Sequence, residues 1–295
     1  MKTFSMIGCG AVGKTAGRLL QQSGVAAVQD ILTRSAASAQ AAADFIGAGR
    51  PVADFDQLVR ADLYLVASPD DAIAACAQGL CRAGLLDSDT TVCHLSGSLA
   101  SDILQPARAM GAQVASVHPV KSFADPAVCV DDFAGTWCGI EGDPQTCQFL
   151  AELFGAIGGR IFPIDPRFKT VYHAGSVLVC NYLTALMEAG LRAFQKGGVP
   201  RETALLVMEP LVRGTVDNVF RVGTARALTG PIARGDAGVV ARQLDALDNF
   251  DDELALIYRA LGRVALDLSR ERGQASVSGL AAIENLLATP KAGAS

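Results

Sequence analysis

The chain is 295 residues long, half of them apolar, with 25 Lys and Arg against 30 Asp and Glu and a net charge of −5. That length accommodates two domains around a substantial core. An acidic balance with no basic run or aromatic-interleaved patch argues against a nucleic-acid partner, and few aromatics beside abundant Ala and Gly suit α/β layers and helices rather than a β sandwich. The cysteines, at positions 9, 76, 81, 93, 129, 138, 147 and 180, form no CxxC and no metal-ligand spacing, so free thiols in a reducing cytoplasm and no metal site are expected. Glycines interrupt any secretory apolar region at the N-terminus. The longest apolar run, residues 174–187, includes Ser176, Asn181 and Thr184, and its length fits a buried core helix better than a membrane span.

Residues 3–7 read as a strand that breaks into Gly8-Cys9-Gly10-Ala11-Val12-Gly13 before a helix at 14–22. Between a strand and a helix, this GxGxxG has a mechanism. Gly8 permits the tight turn, Gly10 lets backbone approach a pyrophosphate, and Gly13 lets helix and strand pack closely. The N–H groups that open the helix, with Ala11 and Val12, face the anion. A second strand, 28–33, ends about twenty residues further on, where an NAD site carries an acidic residue for the ribose 2′-OH. Here the residues are Arg34-Ser35, and Asp30 lies too early, inside the strand. Arg34 can grip a 2′-phosphate bidentately with Ser35 donating beside it, which makes NADP(H) the expected cofactor. A solvated loop arginine is the alternative.

Further strands are expected at 62–67, 91–95 and 113–117, with helices at 71–83 and 100–110, then strands at 136–140 and 160–164 around a helix at 144–157. This alternation predicts an α/β fold with a doubly wound parallel sheet. Asp165-Pro166 then opens a long helix running to Lys196, apolar on most sides and so expected to be surrounded by partners. Helices follow at 200–222, 237–247, 251–272 and 279–287. The expected organisation is a dinucleotide-binding domain, 1–163, and an all-α domain, 164–295, for substrate binding and dimerisation.

Ligands of open parallel sheets lie at the carboxyl ends of strands. Three polar loops leave those ends: Ser68-Pro69-Asp70, Ser96-Gly97-Ser98 and His118-Pro119-Val120-Lys121-Ser122. Ser68 and Pro69 are expected beside the nicotinamide ribose, and Ser96, Gly97 and His118 beside the substrate, with Lys121 near the same cleft. His94, inside its strand, reads as a core histidine with a hydrogen bond. On the long helix, Lys169 and His173 share a face. A carbonyl receiving hydride needs a proton donor, and His173 with Lys169 beside it can serve; both side chains facing solvent is the alternative. Asn181, among apolar neighbours, needs a partner, either a ligand or a backbone group. In Thr229-Gly230-Pro231-Ile232-Ala233-Arg234-Gly235-Asp236, Arg234 can hold an anion, or the segment is a connection whose Asp236 caps the next helix.

Residues 8–13, 94–98, 118–123, 172–182 and 229–236 together resemble a group of oxidoreductases that pairs an N-terminal Rossmann-like domain with a C-terminal helical domain of uncharacterised function. The wider superfamily includes pyrroline-5-carboxylate reductase, ketopantoate reductase, prephenate dehydrogenase and the 6-phosphogluconate and β-hydroxyacid dehydrogenases. The resemblance implies an NADP-linked redox enzyme with a helical dimerisation domain. The β-hydroxyacid dehydrogenases carry a catalytic Lys followed four residues later by Asn, whereas Lys169 is followed by His173. The expected activity is NADPH-dependent reduction of a small carboxylate-bearing 2-oxo acid or imine, with Ser96, His118, Lys121 and Asn181 orienting substrate. The rivals are a non-catalytic NADP-binding redox sensor and a deazaflavin:NADP hydride-transfer enzyme.

Overall fold

The computed structural model describes residues 1–288, and the chain divides into two compact units, Met1–Leu183 and Thr184–Ser295. The first contains β1 (Lys2–Ile7), α1 (Ala11–Ser23), β2 (Ala26–Leu32), α2 (Ala36–Ile46), β3 (Arg50–Val52), β4 (Leu63–Val66), α3 (Ile73–Arg82), β5 (Thr91–His94), α4 (Gln105–Ala109), β6 (Gln113–Pro119), α5 (Pro126–Asp131), β7 (Trp137–Gly142), α6 (Pro144–Ala156), β8 (Arg160–Pro163) and α7 (Lys169–Val179). The strands form one sheet in the order β3-β2-β1-β4-β5-β6-β7-β8. Strand order reverses beside β1, which pairs in parallel with both β2 and β4. That reversal opens the crevice where ligands of such sheets bind.

Side chains along β1 and β4 alternate between two cores, as the period of a strand requires. Phe4, Met6, Leu63 and Leu65 pack on one face with Leu20 of α1 and Ile46 of α2. Ile7, Tyr64 and Val66 pack on the other with Ile73 and Leu80 of α3 and Leu104. Helices on both faces explain why these strands read as continuous apolar runs.

The structure corrects the sequence expectation in two places. The sheet is parallel only through β6: β7 runs antiparallel to β6, and β8 follows β7 in parallel. The connection after β6 carries the six-residue α5 and returns the chain along the outer edge of β6 in the opposite direction. The helix expected over 166–196 is also interrupted. A 3₁₀ turn at Pro166–Phe168 precedes α7, and Cys180 (φ −114°, ψ −69°) separates it from α8 (Asn181–Lys196). The Gly175-Ser176 pair one turn earlier is a sequence feature associated with such breaks. Nor is this helix surrounded, since Val171 and Val179 are 71% and 75% exposed. By length and composition the segment Pro166–Lys196 could cross a membrane, but Lys169 at its start is buried among strand residues.

The second unit holds the rest of α8, α9 (Arg201–Val222), α10 (Thr224–Ala227), α11 (Pro231–Arg234), α12 (Ala237–Asp248), α13 (Asp252–Arg272) and α14 (Val277–Ala288). Ile232, Val240, Leu244, Leu266, Leu280, Ile283 and Leu287 form its main core. Asp236 accepts from Val239 N (3.0 Å) and so caps α12, while Asp251 caps α13 by accepting from Glu253 N and Leu254 N. Arg259 of α13 donates twice to the Asp248 carboxylate of α12, both at 2.7 Å, with the arginine side chain only 8% exposed. Asp248→Ala removes both of these charge-assisted hydrogen bonds from a largely buried guanidinium. Asp248→Ala is therefore expected to destabilise the protein by about 3 kcal/mol, read as a lowered urea midpoint.

Candidate active site

The glycines of the first loop each meet a different constraint. Gly8 has φ +79°, and a Cβ there would lie 2.6 Å from the backbone nitrogen of Ser68. Its own N–H donates to Leu32 O at 2.7 Å, which holds the turn against β2. A Cβ on Gly13 would lie 2.7 Å from the Ala67 Cβ, so only glycine lets α1 approach the end of β4 this closely. A Cβ on Gly10 would meet nothing within 4 Å. The loop thus keeps open the space in which backbone approaches a diphosphate, and Gly10, the N-cap of α1, supplies no side-chain cap to block it. With Ala11 and Val12 opening α1, this donor set fits a dinucleotide. Burial pushes the Cys9 thiol inside the loop up to about 12, away from its thiolate form.

Arg34 is exposed at the end of β2. Ser35 is the N-cap of α2, accepting from Ser38 N at 3.2 Å. Its hydroxyl also contacts that of Ser38 (2.8 Å), which in turn contacts Thr33 Oγ1 (2.7 Å), so three hydroxyls surround the arginine's segment. Asp30 points into the sheet as a strut, accepting from Arg50 Nε and Val59 N, both at 2.8 Å. On the β4 loop, Ser68 accepts from the Cys76 thiol (3.7 Å) and Pro69 is exposed.

A second cluster gathers at the ends of β5 and β6 against α7, all within the first unit. His118 Nδ1 and Tyr172 Oη are 2.9 Å apart with their rings edge to face. The His118 and His173 rings are 5.5 Å apart, centroid to centroid. Gly97 makes this possible: a Cβ there would lie 2.3 Å from His173 Cδ2 and 2.6 Å from His118 Nε2. Ser98 donates to Asp70 Oδ2 at 2.6 Å, and Thr170 of α7 donates to Ser98 O at 3.1 Å, which binds the loop to both neighbours. Burial, then the charges of His173 and Lys169, push the His118 imidazole down to about 4. His94 lies beneath as a core histidine: Ser96 N donates to its Nδ1 (3.2 Å), and Nε2 faces Ala100 O (3.3 Å). Burial and Lys169 push it down to about 3.

Several residues expected to do chemistry have other partners. Lys169 does not sit beside His173 as a proton donor. Its side chain is 1% exposed, and it donates to Glu141 Oε1 of β7 (2.9 Å) and to the Ser116 hydroxyl of β6. Glu141 also accepts from Ser101 N (2.9 Å) and Ser101 Oγ (2.7 Å), so its charge is well satisfied. Desolvation lowers the Lys169 pKa, opposed by Glu141. Lys121 donates to Asp132 at 2.8 Å. Ser96 braces its own turn by accepting from Ser98 N (3.2 Å) and Leu99 N (3.1 Å). Asn181 is exposed at the helix break, and Arg234 is exposed on α11 of the second unit. Sequence reasoning passed over Glu141 and Ser116, and placed Asp70 and Tyr172 in a loop and a motif without giving either a role. Glu141 had a signal, a lone charge in an otherwise apolar strand.

Residues 2–119 match the model of a Rossmann-like domain, and residues 136–265 match that of a domain of unknown function, DUF2520. No curated protein matches the chain. Among solved structures, the Thermotoga maritima protein TM1727 superposes with a TM-score of 0.73 at 24% identity, covering 92% of this chain and 99% of its own. A Bacteroides fragilis protein, BF3122, described as a candidate NADP oxidoreductase, gives 0.70 at 21% identity, covering 90% and 97%. Pyrroline-5-carboxylate reductase from Streptococcus pyogenes gives 0.60 at 14% identity, covering 92% and 98%. At these identities the likeness establishes the fold.

Two outcomes follow from the geometry. Lys169→Ala leaves Glu141 buried without its counter-ion and is expected to cost about 3–5 kcal/mol; a denaturation midpoint reads this. The depressed His94 and His118 pKa values mean that the unfolded chain binds more protons between about pH 4 and 6.5. Stability should therefore be full above pH 6.5 and fall on acidification through that window, by up to about 1.4 kcal/mol per pH unit for each histidine. His118→Gln should lower that slope in urea titrations between pH 4.5 and 6.5.

Proposed function

We propose that this chain, which joins a Rossmann-like domain to a DUF2520 domain, is an NAD(P)-dependent oxidoreductase that prefers NADP(H). The observation that carries the reading is the glycine loop at the reversal of strand order, open at Gly10 and closed at Gly8 and Gly13. Gly8, Gly10, Ala11, Val12 and Gly13 would hold the diphosphate, and Ser68 and Pro69 would line the nicotinamide ribose. Arg34 and Ser35, with the neighbouring hydroxyls, would hold the 2′-phosphate. The bound nicotinamide supplies or accepts a hydride. The fold shared with BF3122 and with the S. pyogenes reductase supports the same reading.

The substrate we infer is a small 2-oxo acid or imine, reduced beside the His118/His173 pair. His173 is the leading proton donor, and His118, Gly97 and Asn181 are candidates to orient substrate; Arg234, on the second unit, is a candidate anion ligand of that unit. Lys121 and Lys169 leave that list, because each is committed to a carboxylate. The two neighbouring imidazoles favour catalysis over a sensor, which needs no such group. A second copy of the chain covering exposed Leu206, Leu211 and Phe220 of α9 would complete a homodimer through the helical domain, and eight free thiols suit the reducing cytoplasm.

Fluorescence titration tests the cofactor: NADPH should bind roughly ten- to a hundred-fold more tightly than NADH, and Arg34→Ala should remove most of that difference. Equal affinity for the two would refute the NADP preference. For the reaction, NADPH consumption is followed against small 2-oxo acids and cyclic imines, and His173→Gln should lower kcat about a hundred-fold on the active substrate.

A further inference from the structure

The ring of Tyr172 lies between Phe162 of β8, with centroids 6.0 Å apart, and His118 of β6, with centroids 5.7 Å apart and planes at 86°. Its hydroxyl reaches across β7 at Gly139, the register partner of His118. A Cβ on Gly139 would stand 3.1 Å from Tyr172 Oη, so a residue without a side chain keeps the path to His118 open. Three strands and α7 thus converge on one contact, the 2.9 Å approach of Tyr172 Oη to His118 Nδ1.

One hydrogen lies between these atoms, and its owner decides which face of His118 is the donor. A phenol is a stronger acid than a neutral imidazole N–H, and an imidazole nitrogen is a stronger base than a phenol oxygen. The favoured arrangement is Oη–H donating to Nδ1, which leaves the remaining ring proton on Nε2. Two electrostatic facts agree: burial keeps His118 neutral at pH 7 and pushes the Tyr172 phenol up to about 12, so it keeps its proton. Nε2 is the atom turned toward Gly97 and the carboxyl ends of the strands.

We propose that Tyr172 is a positioning residue that locks His118 in the Nε2–H tautomer, presenting a neutral hydrogen-bond donor to the oxygen of a carbonyl substrate at the carboxyl ends of the strands. The role in turnover rests on the oxidoreductase reading above; the tautomer does not. His118 then polarises the acceptor as a neutral group, distinct from the proton-donating part assigned to His173. Nδ1–H donating to the phenol oxygen would instead turn a lone pair toward the substrate oxygen and repel it.

The test is two-dimensional ¹H–¹⁵N NMR on the protein labelled at histidine. The chain has three histidines, and loss of one set of peaks in His118→Gln assigns that ring. Wild type at pH 7 should show His118 protonated at Nε2 with Nδ1 accepting a hydrogen bond. Tyr172→Phe should shift the ratio toward Nδ1–H at least several-fold. A wild-type spectrum with the proton on Nδ1, or a ratio unchanged in Tyr172→Phe, overturns the proposal. The wild-type spectrum alone decides the tautomer if Tyr172→Phe does not fold. On any active substrate, Tyr172→Phe should lower kcat about ten-fold with NADPH affinity unchanged, and a shifted tautomer with unchanged kcat would overturn the catalytic part. Absence of turnover with every substrate counts against the oxidoreductase reading while leaving the spectrum to judge the lock.

Discussion

Lys169 Nζ lies 2.9 Å from Glu141 Oε1 with both side chains almost wholly removed from water, and Ser116 and Ser101 supply the remaining hydrogen bonds. A buried pair of this kind contributes little net stability compared with apolar residues of the same shape, because desolvation of both charges offsets their attraction. What it supplies is position. Lys169 is the first residue of α7, and its two acceptors stand on adjacent strands, β6 and β7. A leucine would tolerate several dockings of that helix end, whereas an ammonium finds its acceptors only where Ser116 and Glu141 meet. Tyr172 and His173 follow within one turn of Lys169, so the histidine cluster inherits its geometry from an ion pair that does not belong to it.

The loops above that pair obey a complementary constraint, the absence of side chains. Gly97 admits two imidazoles that any Cβ would displace, and Gly139 admits Ile164 and the Tyr172 hydroxyl. Gly8 and Gly13 do the same for β4 against the first loop and α1. At Gly97 the close approach brings two imidazoles to backbone. The charged and polar anchors fix where the elements stand, and the glycines fix how closely they come.

The layered α/β unit was legible because its signals are local. Apolar strands alternated with helices, and the GxGxxG sat where a strand must turn into a helix. The reversed β7 and β8 were less legible, since strand direction depends on the path of the connection and α5 carries no strong periodicity. In the site, His118 and His173 were found because they flank strand and helix ends, and His94 was recognised as structural from its place inside β5. The partner of Lys169 was not legible for one reason. Helical spacing showed which residues shared a face with Lys169, but its acceptor is 28 residues away on a strand, and no spacing rule in one chain pairs them. Tyr172 was visible as part of a motif, yet its importance depends on the β6–β7 register that places Gly139 opposite His118.

In the proposed reaction the two neighbouring histidines would serve two purposes a few ångströms apart. His173 lowers the tendency of His118 to take a proton, since two imidazolium ions at a ring separation of 5.5 Å would repel. With burial and the Lys169 charge also against it, His118 is held neutral. A neutral imidazole is a weaker proton donor than an imidazolium, but it can still polarise an oxygen without ever needing to be recharged from solvent. That division requires the neutral ring to keep its proton on the correct nitrogen, which its own acid–base chemistry does not guarantee. A phenol fixed by β8, β7 and α7 supplies that missing specification, and the long reach from the Lys169 anchor through Tyr172 to His118 is what makes the first turns of α7 part of the site.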